Sequence, residues 1–363
     1  MLRAVAVVAA TIVAPSATHA ATLDQMAGQM ILLGFQGDQL SDKSIAGLRD
    51  DIAKGDIGGI MYLKTNVKSL ADVKAMNAAF LGANPALPPF ISLDQEGGRV
   101  QRLTKDVGFG EIPSAADVAA TDTPQAAQAV YLKVATSLAA DGFNVNFGPV
   151  VDLNINPNNP IIGKYGRSFS KDPQKVVAYA EAFINAHHQA GVLTALKHFP
   201  GHGSSSADSH KGFVDITNTW NKVELAPYAA LIGANMADFV MVGHLYDKNY
   251  DPKGDTAQLP ASLNPVWIGD VLRSQLGYKG VVISDDLEMG AIRNEFDTQQ
   301  TVIRAVNAGV DVLLFSNTAA YSPSLGDKIR GILVAEANRD PAFKARIVAS
   351  YNRIVALKAK LRG

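Results

Sequence analysis

Three of the chain's seven histidines fall within one fourteen-residue stretch, KHFPGHGSSSADSH (197–210), beside one lysine and one aspartate. Three chemistries suit such a loop. As a metal site, His198, His202 and His210 would supply imidazoles and Asp208 a carboxylate. The spacing matches no helical two-histidine motif, however, and Lys197 would repel a cation, so no metal is expected. As a plain connection, the segment would be a glycine-rich turn with polar side chains. As a catalyst, it offers Asp208-Ser209-His210, because residues two apart in an extended segment point the same way. Asp208 would accept a hydrogen bond from one ring nitrogen of His210 and fix its tautomer. It would also raise the imidazole's proton affinity and leave the other nitrogen for proton transfer. No Gly-x-Ser-x-Gly elbow accompanies the pair, so serine-type acyl transfer is not indicated. Gly201, Gly203 and residues 204–206 would make the loop mobile, as suits a proton carrier on a lid.

Two further stretches carry carboxylates. In GVVISDDLEMG (280–290), Asp285 directly follows an apolar run. A helix starting near Leu287 would need one capping aspartate, a role that falls to Asp286 and leaves Asp285 for chemistry. In ISLDQEGGRVQRL (91–103), Asp94 ends an apolar run, Gly97-Gly98 turns the chain, and Arg99 and Arg102 follow. Such an aspartate and arginine form either a plain ion pair or, among hydroxyl ligands, a sugar clamp.

These residues need elements to hold them. Eight apolar runs read as strands: 30–35, 58–63, 89–95, 143–153, 193–199, 238–244, 280–286 and 310–315. Most are continuously apolar, as strands buried on both faces of a parallel sheet are. Helical patterns lie between them, such as 122–142 and 172–191, each with Asp, Thr or Pro at its start and Gly at its end. Eight strands alternating with helices predict an α/β fold, a (β/α)8 TIM barrel, with an open doubly wound sheet as runner-up. Six runs end in or just before polar groups: Asp94, Asp152, Lys197 with His198, His244, Asp285 and Asn317. Catalytic groups of barrels gather at such C-terminal strand ends, which favours the barrel. No repeat or linker interrupts the pattern, so residues 21–363 are expected to form one domain, the last helices closing the barrel floor or rim.

The composition is 47% apolar and 18% charged with net charge −1, that of a globular chain with a substantial core and no footprint for nucleic acid or an anionic membrane. No cysteine is present, which excludes disulfides and thiolate chemistry. Residues 1–20, MLRAVAVVAATIVAPSATHA, run from an early arginine through an apolar core to small residues. That order predicts a secretory signal peptide cut after Ala20, hence a periplasmic or secreted protein. The apolar run is well short of the ~20 residues that span a bilayer, so no membrane span is expected after its removal.

Together the motifs LDQEGGRVQRL, PVVDLNINPNNPIIGKYGRSFSKDP, LKHFPGHGSSSADSH, ELAPYAALI, MVGH and GVVISDDLEMGAI resemble glycoside hydrolase family 3. More narrowly, they resemble its bacterial β-N-acetylglucosaminidases. The likeness covers roughly residues 91–292 in family order, and it implies a retaining enzyme removing terminal β-linked GlcNAc from peptidoglycan fragments or chito-oligosaccharides. It implies Asp285 as nucleophile, His210 as general acid/base and Asp208 as its partner. Asp94, Arg102, Arg167, Lys197 and His198 match sugar-binding positions. No cofactor is implied, and a monomer is expected. Other readings of the same residues are a β-N-acetylglucosaminide phosphorylase, a β-glucosidase or broad β-hexosidase, and an exported sugar-binding protein on a disabled barrel. His202 receives no role.

Overall fold

The computed structural model describes residues 21–84, 87–251 and 258–362. The expected signal peptide lies outside the described residues. Eight strands are present: β1 (Ile31–Gly34), β2 (Gly59–Tyr62), β3 (Phe90–Leu93), β4 (Val145–Asn146), β5 (Leu193–Phe199), β6 (Phe239–Val242), β7 (Val281–Ser284) and β8 (Leu313–Phe315). Each falls inside one of the apolar runs, and every strand residue is buried. That double-sided burial is why the runs read as continuous rather than alternating.

The strands pair in parallel in chain order from β1 to β7, and β8 pairs with β1. Between β7 and β8 the seam is closed by Ser284 N–H donating to Val312 O and Val312 N–H donating to Val282 O, both at 3.0 Å. The sheet therefore returns on itself as a (β/α)8 barrel, and the open-sheet alternative is set aside. One strand differs from expectation. The run 143–153 yields only the two-residue β4, because Pro149 has no N–H for the ladder. The chain rejoins the barrel at Val150 against Lys197, with Val151 N–H donating to Lys197 O at 2.9 Å.

The helices expected at 122–142 and 172–191 span Pro124–Ala140 and Pro173–Gln189. Thr123 and Asp172 cap their first turns, and proline inside each first turn presets the helical φ. Tyr131 and Phe183 join the two helices edge to face at 4.9 Å. The last helix, Pro341–Lys358, seals the floor rather than the rim. Its buried Lys358 ammonium donates to Gln29 Oε1 and Gly58 O, both at 2.7 Å, below β1 and β2. Arg353 reaches Asp311, just before β8, at 2.7 Å. With the floor closed, the opposite mouth is free for chemistry. No helix among the described residues is long and apolar enough to cross a membrane.

Candidate active site

The C-terminal strand ends surround a cavity of about 310 Å³, lined by Asp94, Glu96, Arg102, Arg167, Lys197, His198, His210 and Asp285 among others. Seven of the eight residues singled out by sequence thus converge on one space, and the eighth, Asp208, stands directly behind His210. The volume is at the small end of the ~300–1,000 Å³ typical of small-molecule sites.

The deepest wall is a charge lattice. Asp94 ends β3 and accepts from Arg102 Nη2 at 2.8 Å and from Lys197 Nζ at 2.7 Å. Glu96, two residues on, takes the Arg167 guanidinium in a two-point grip, both contacts at 2.8 Å, and Lys197 Nζ at 2.6 Å. Burial alone would raise the pKa of these acids, but the cations outweigh it: Asp94 is held well below the usual carboxylate range and Glu96 down to about 2. For Lys197, burial favours loss of the proton and the two carboxylates overcome that, so its pKa is raised. The result is an array of ionised donors and acceptors at fixed spacing, facing the cavity from its deepest wall. Glu96 was not among the residues picked from sequence; its signal was its place two positions after Asp94.

His198 follows Lys197 on β5. Arg167 Nη2, which can only donate, lies 3.3 Å from His198 Nε2, so that nitrogen accepts. Its Nδ1–H then donates to Asp152 Oδ2 at 2.8 Å, and Asp152 Oδ1 accepts the backbone N–H of His198 and His202. Asp152, read from sequence only as a polar strand end, is thus the group that aims the His198 ring into the cavity.

Asp285 leaves β7 almost fully buried, with Oδ1 accepting the Asp286 N–H at 2.8 Å. Burial opposes its charge, but the imidazoles of His198, His244 and His210 and the Asp286 N–H prevail, so its pKa is lowered. His244 stands beside it at the end of β6. Its Nε2–H donates to Asp286 O at 2.8 Å, so Nδ1 accepts from the Ser262 hydroxyl at 2.7 Å. Burial lowers its pKa.

Asp286 does not cap a helix. The next helix begins only at Gly290, with Met289 at its N-cap. Asp286 Oδ1 instead accepts the N–H groups of Glu288 at 3.0 Å and Ser316 at 2.9 Å, tying the turn to the end of β8.

The Asp208–His210 pair forms as the two-residue spacing predicts. Asp208 Oδ1 accepts from His210 Nδ1 at 2.8 Å and from the His210 N–H at 3.0 Å. Burial raises the Asp208 pKa, but the bonds to His210 outweigh it and the net shift is downward. The His210 side chain is about half exposed (53%), leaving Nε2 toward the cavity and solvent.

The loop carrying the pair is held differently from expectation. Gly201, Gly203, Ser204 and Ser205 are buried, and only Ser206 of the serine run is exposed. A Cβ on Gly203 would stand 1.6 Å from Leu153 O, so that glycine serves close packing rather than movement. His202, which sequence left without a role, is a brace. Its Nδ1 bonds Ser205 Oγ at 2.6 Å, and burial pushes its pKa down to about 4. The Nδ1 atoms of His198, His202 and His210 are thus each engaged by a different partner. Among the described residues no three His, Asp or Glu side chains converge as they would around a metal ion.

Residues 22–357 match the family profile described as "Glycosyl hydrolase family 3 N terminal domain". The chain is 34% identical over 379 residues to beta-hexosaminidase A of Pseudoalteromonas piscicida, covering 94% of this chain and 61% of that protein. It is 36% identical over 305 residues to a beta-hexosaminidase of Xylella fastidiosa strain 9a5c, covering 82% and 86%. Among solved structures it resembles a glycoside hydrolase family 3 beta-N-acetylglucosaminidase from Paenibacillus sp. str. FPU-7 (TM-score 0.84, 33% identity, 94% of this chain and 63% of that one). It also resembles the beta-N-acetylhexosaminidase of Beutenbergia cavernae DSM 12333 (TM-score 0.81, 30% identity, 94% and 99%). The chain spans less than two thirds of the Pseudoalteromonas and Paenibacillus proteins and nearly the full length of the Beutenbergia enzyme.

Proposed function

Because the chain belongs to glycoside hydrolase family 3, we propose that it is a retaining, exo-acting β-N-acetylglucosaminidase. One observation carries the reading. Asp285 faces the cavity as an anion whose second oxygen accepts no hydrogen bond among the described residues, while the Asp208–His210 pair lines the same cavity. A carboxylate with a free oxygen is a nucleophile; a histidine with one nitrogen engaged and one free is a proton carrier. The activities named for the similar proteins point the same way.

In the first step Asp285 bonds to the anomeric carbon as the bond to the leaving oxygen breaks, and His210 Nε2 gives that oxygen its proton. In the second, His210 takes a proton from water, the water oxygen bonds to the anomeric carbon, and Asp285 is released. Two displacements give net retention. Asp94, Arg102, Arg167, Lys197 and His198 hold the terminal sugar, and the small cavity favours one sugar unit at a time. Since every one of these residues comes from a single chain, a monomer suffices. We assign the enzyme to the periplasm or exterior from its signal-like segment, where muropeptides or chito-oligosaccharides would meet it.

Nitrophenol release from the aryl β-glycosides of GlcNAc and glucose, measured for the wild type and Asp285→Asn, tests the reading. Turnover of the GlcNAc substrate alone, lost in the variant, is expected. Preference for glucose would overturn the substrate, and no turnover of either would favour a sugar-binding protein. A neutral imidazole on an exposed arm would not repel phosphate, so formation of sugar 1-phosphate in phosphate buffer would identify a phosphorylase instead.

A further inference from the structure

Glu224 lies beneath the proton-carrier loop, in the short helix Lys222–Leu225, and the mechanism above gives it no part. Its carboxyl is buried. Oε2 accepts the backbone N–H groups of Gly203 at 3.1 Å and Ser204 at 3.3 Å. Gly201 makes room for it: at φ +128° it bears no Cβ, which would stand 2.7 Å from Glu224 Cβ and 2.9 Å from Oε2. Asp152 and Tyr228 are the titratable groups that act on it from the barrel side. Glu224 Oε1 and the Tyr228 hydroxyl are buried without a hydrogen-bond partner among the described residues, and the Ser204 side chain lies against the carboxyl. A fold that leaves polar atoms so placed is holding a buried carboxyl where packing alone would not put one.

A series of contacts leads from this carboxyl to the catalyst. Ser205, next to Ser204, is held by the Asn159 amide at 3.0 Å and by His202 Nδ1 at 2.6 Å. On the outer arm, Ala291 N–H donates to Ser209 O and Gly290 N–H to His210 O, both at 3.2 Å, just beyond Asp285. The loop is therefore pinned at its base by Glu224 and at its tip by the turn that follows the nucleophile. Asp208 stands between these two pins and His210 at the second, so the placing of the pair depends on both.

We propose that Glu224 is a positioning residue for proton transfer: its carboxyl fixes the base of the loop so that the Asp208–His210 pair meets the leaving oxygen. This rests on the reading of His210 as acid/base. A displacement of about 1 Å in a catalytic group costs on the order of 10²-fold in rate. Glu224→Asp withdraws the carboxyl by about one C–C bond, ~1.5 Å, while keeping the same ionisable group.

The test compares kcat/KM on the GlcNAc disaccharide, whose leaving group needs a proton, with that on nitrophenyl GlcNAc, whose leaving group does not. Glu224→Asp is expected to lose on the order of 10²-fold on the disaccharide and no more than a few-fold on the aryl substrate. Glu224→Gln, which keeps an acceptor for both N–H groups, should restore most of the disaccharide rate. Adding Glu224→Asp to His210→Ala should cost nothing further on either substrate, since the residue acts through His210. Equal losses on the two substrates, or a further loss in the His210→Ala background, would make Glu224 a structural residue and overturn the inference. If His210→Ala itself lost both substrates alike, the acid reading would fail. A split in His210→Ala without one in a folded Glu224→Asp would remove Glu224's role only.

Discussion

Asp285 and Asp286 are adjacent in the chain yet shift in opposite directions. Asp285 is held below the usual carboxylate range, whereas burial pushes Asp286 up to about 6. Both line the cavity, and the difference follows from their partners: three imidazoles act on Asp285, whereas Asp286 is buried against backbone N–H groups between two strand ends. One carboxylate is an anion with a free oxygen; the other is a strut. Asp285→Asn should therefore lower kcat/KM on aryl and sugar leaving groups alike by on the order of 10⁴-fold or more, as loss of a nucleophile does. Asp286→Asn keeps the oxygen that accepts from Glu288 and Ser316 and should cost less than about tenfold. Comparable losses in the two variants would undo the assignment of the nucleophile.

The charge lattice predicts a different failure. Lys197 is almost fully buried between Asp94 and Glu96. Removing one partner of a buried pair typically costs about 3–5 kcal/mol, because the remaining charge has lost its compensation. Lys197→Met should lower the melting temperature and raise KM for GlcNAc substrates. The sign of the pH effect is also fixed. Glu96 is depressed from 4.5 to about 2, so its contribution is present above pH 4.5 and lost as pH falls toward 2. Without Lys197 that depression shrinks, and acid unfolding should begin at a higher pH than in the wild type. An unchanged acid limb in circular dichroism would show that the lattice is held by Arg102 and Arg167 alone.

Glu224 has the reverse sign. Burial, with Asp152 nearby, raises it from 4.5 to about 7. A carboxyl so raised contributes stability that is fully present below pH 4.5 and disappears as pH rises through 7. Glu224→Gln removes this dependence. Relative to that variant, the wild type should lose up to about 3 kcal/mol between pH 4.5 and neutrality. Denaturant titrations of both proteins at three or four pH values check it. A difference that stays constant with pH would mean that the carboxyl is already ionised in the acid range.

Much of this was legible from the chain. The eight apolar runs located all eight strands, because strands buried on both faces leave an unbroken apolar signature. The Asp208–His210 pair was legible because its partners are two residues apart. What remained hidden was long-range. Asp152 and His198 are 46 residues apart and Glu96 and Arg167 are 71, and nothing local links the members of either pair. Asp286 misled because an aspartate before a helical pattern resembles a cap, whereas here the helix starts later and Ser316, thirty residues on, supplies the donor.

The loop glycines misled in another way, and the difference can be measured. Glycine in a polar loop suggests freedom, but Gly203 lies buried with its backbone O accepting from Asn156 N–H at 3.0 Å, and an added Cβ would fall 1.6 Å from Leu153 O. A backbone oxygen cannot swing aside as a side chain can, so the loop base itself must move. Overpacking of this kind typically costs about 1–3 kcal/mol. Gly203→Ala should lower the unfolding free energy by that margin, and the melting temperature with it. It should also reduce kcat/KM on the GlcNAc disaccharide more than on the nitrophenyl glycoside, because the displaced base carries His210 with it. If the glycine served mobility instead, alanine would leave the melting temperature nearly unchanged and slow both substrates together through loop motion. The two accounts differ in both readouts, so one variant decides between a glycine that moves and a glycine that fits.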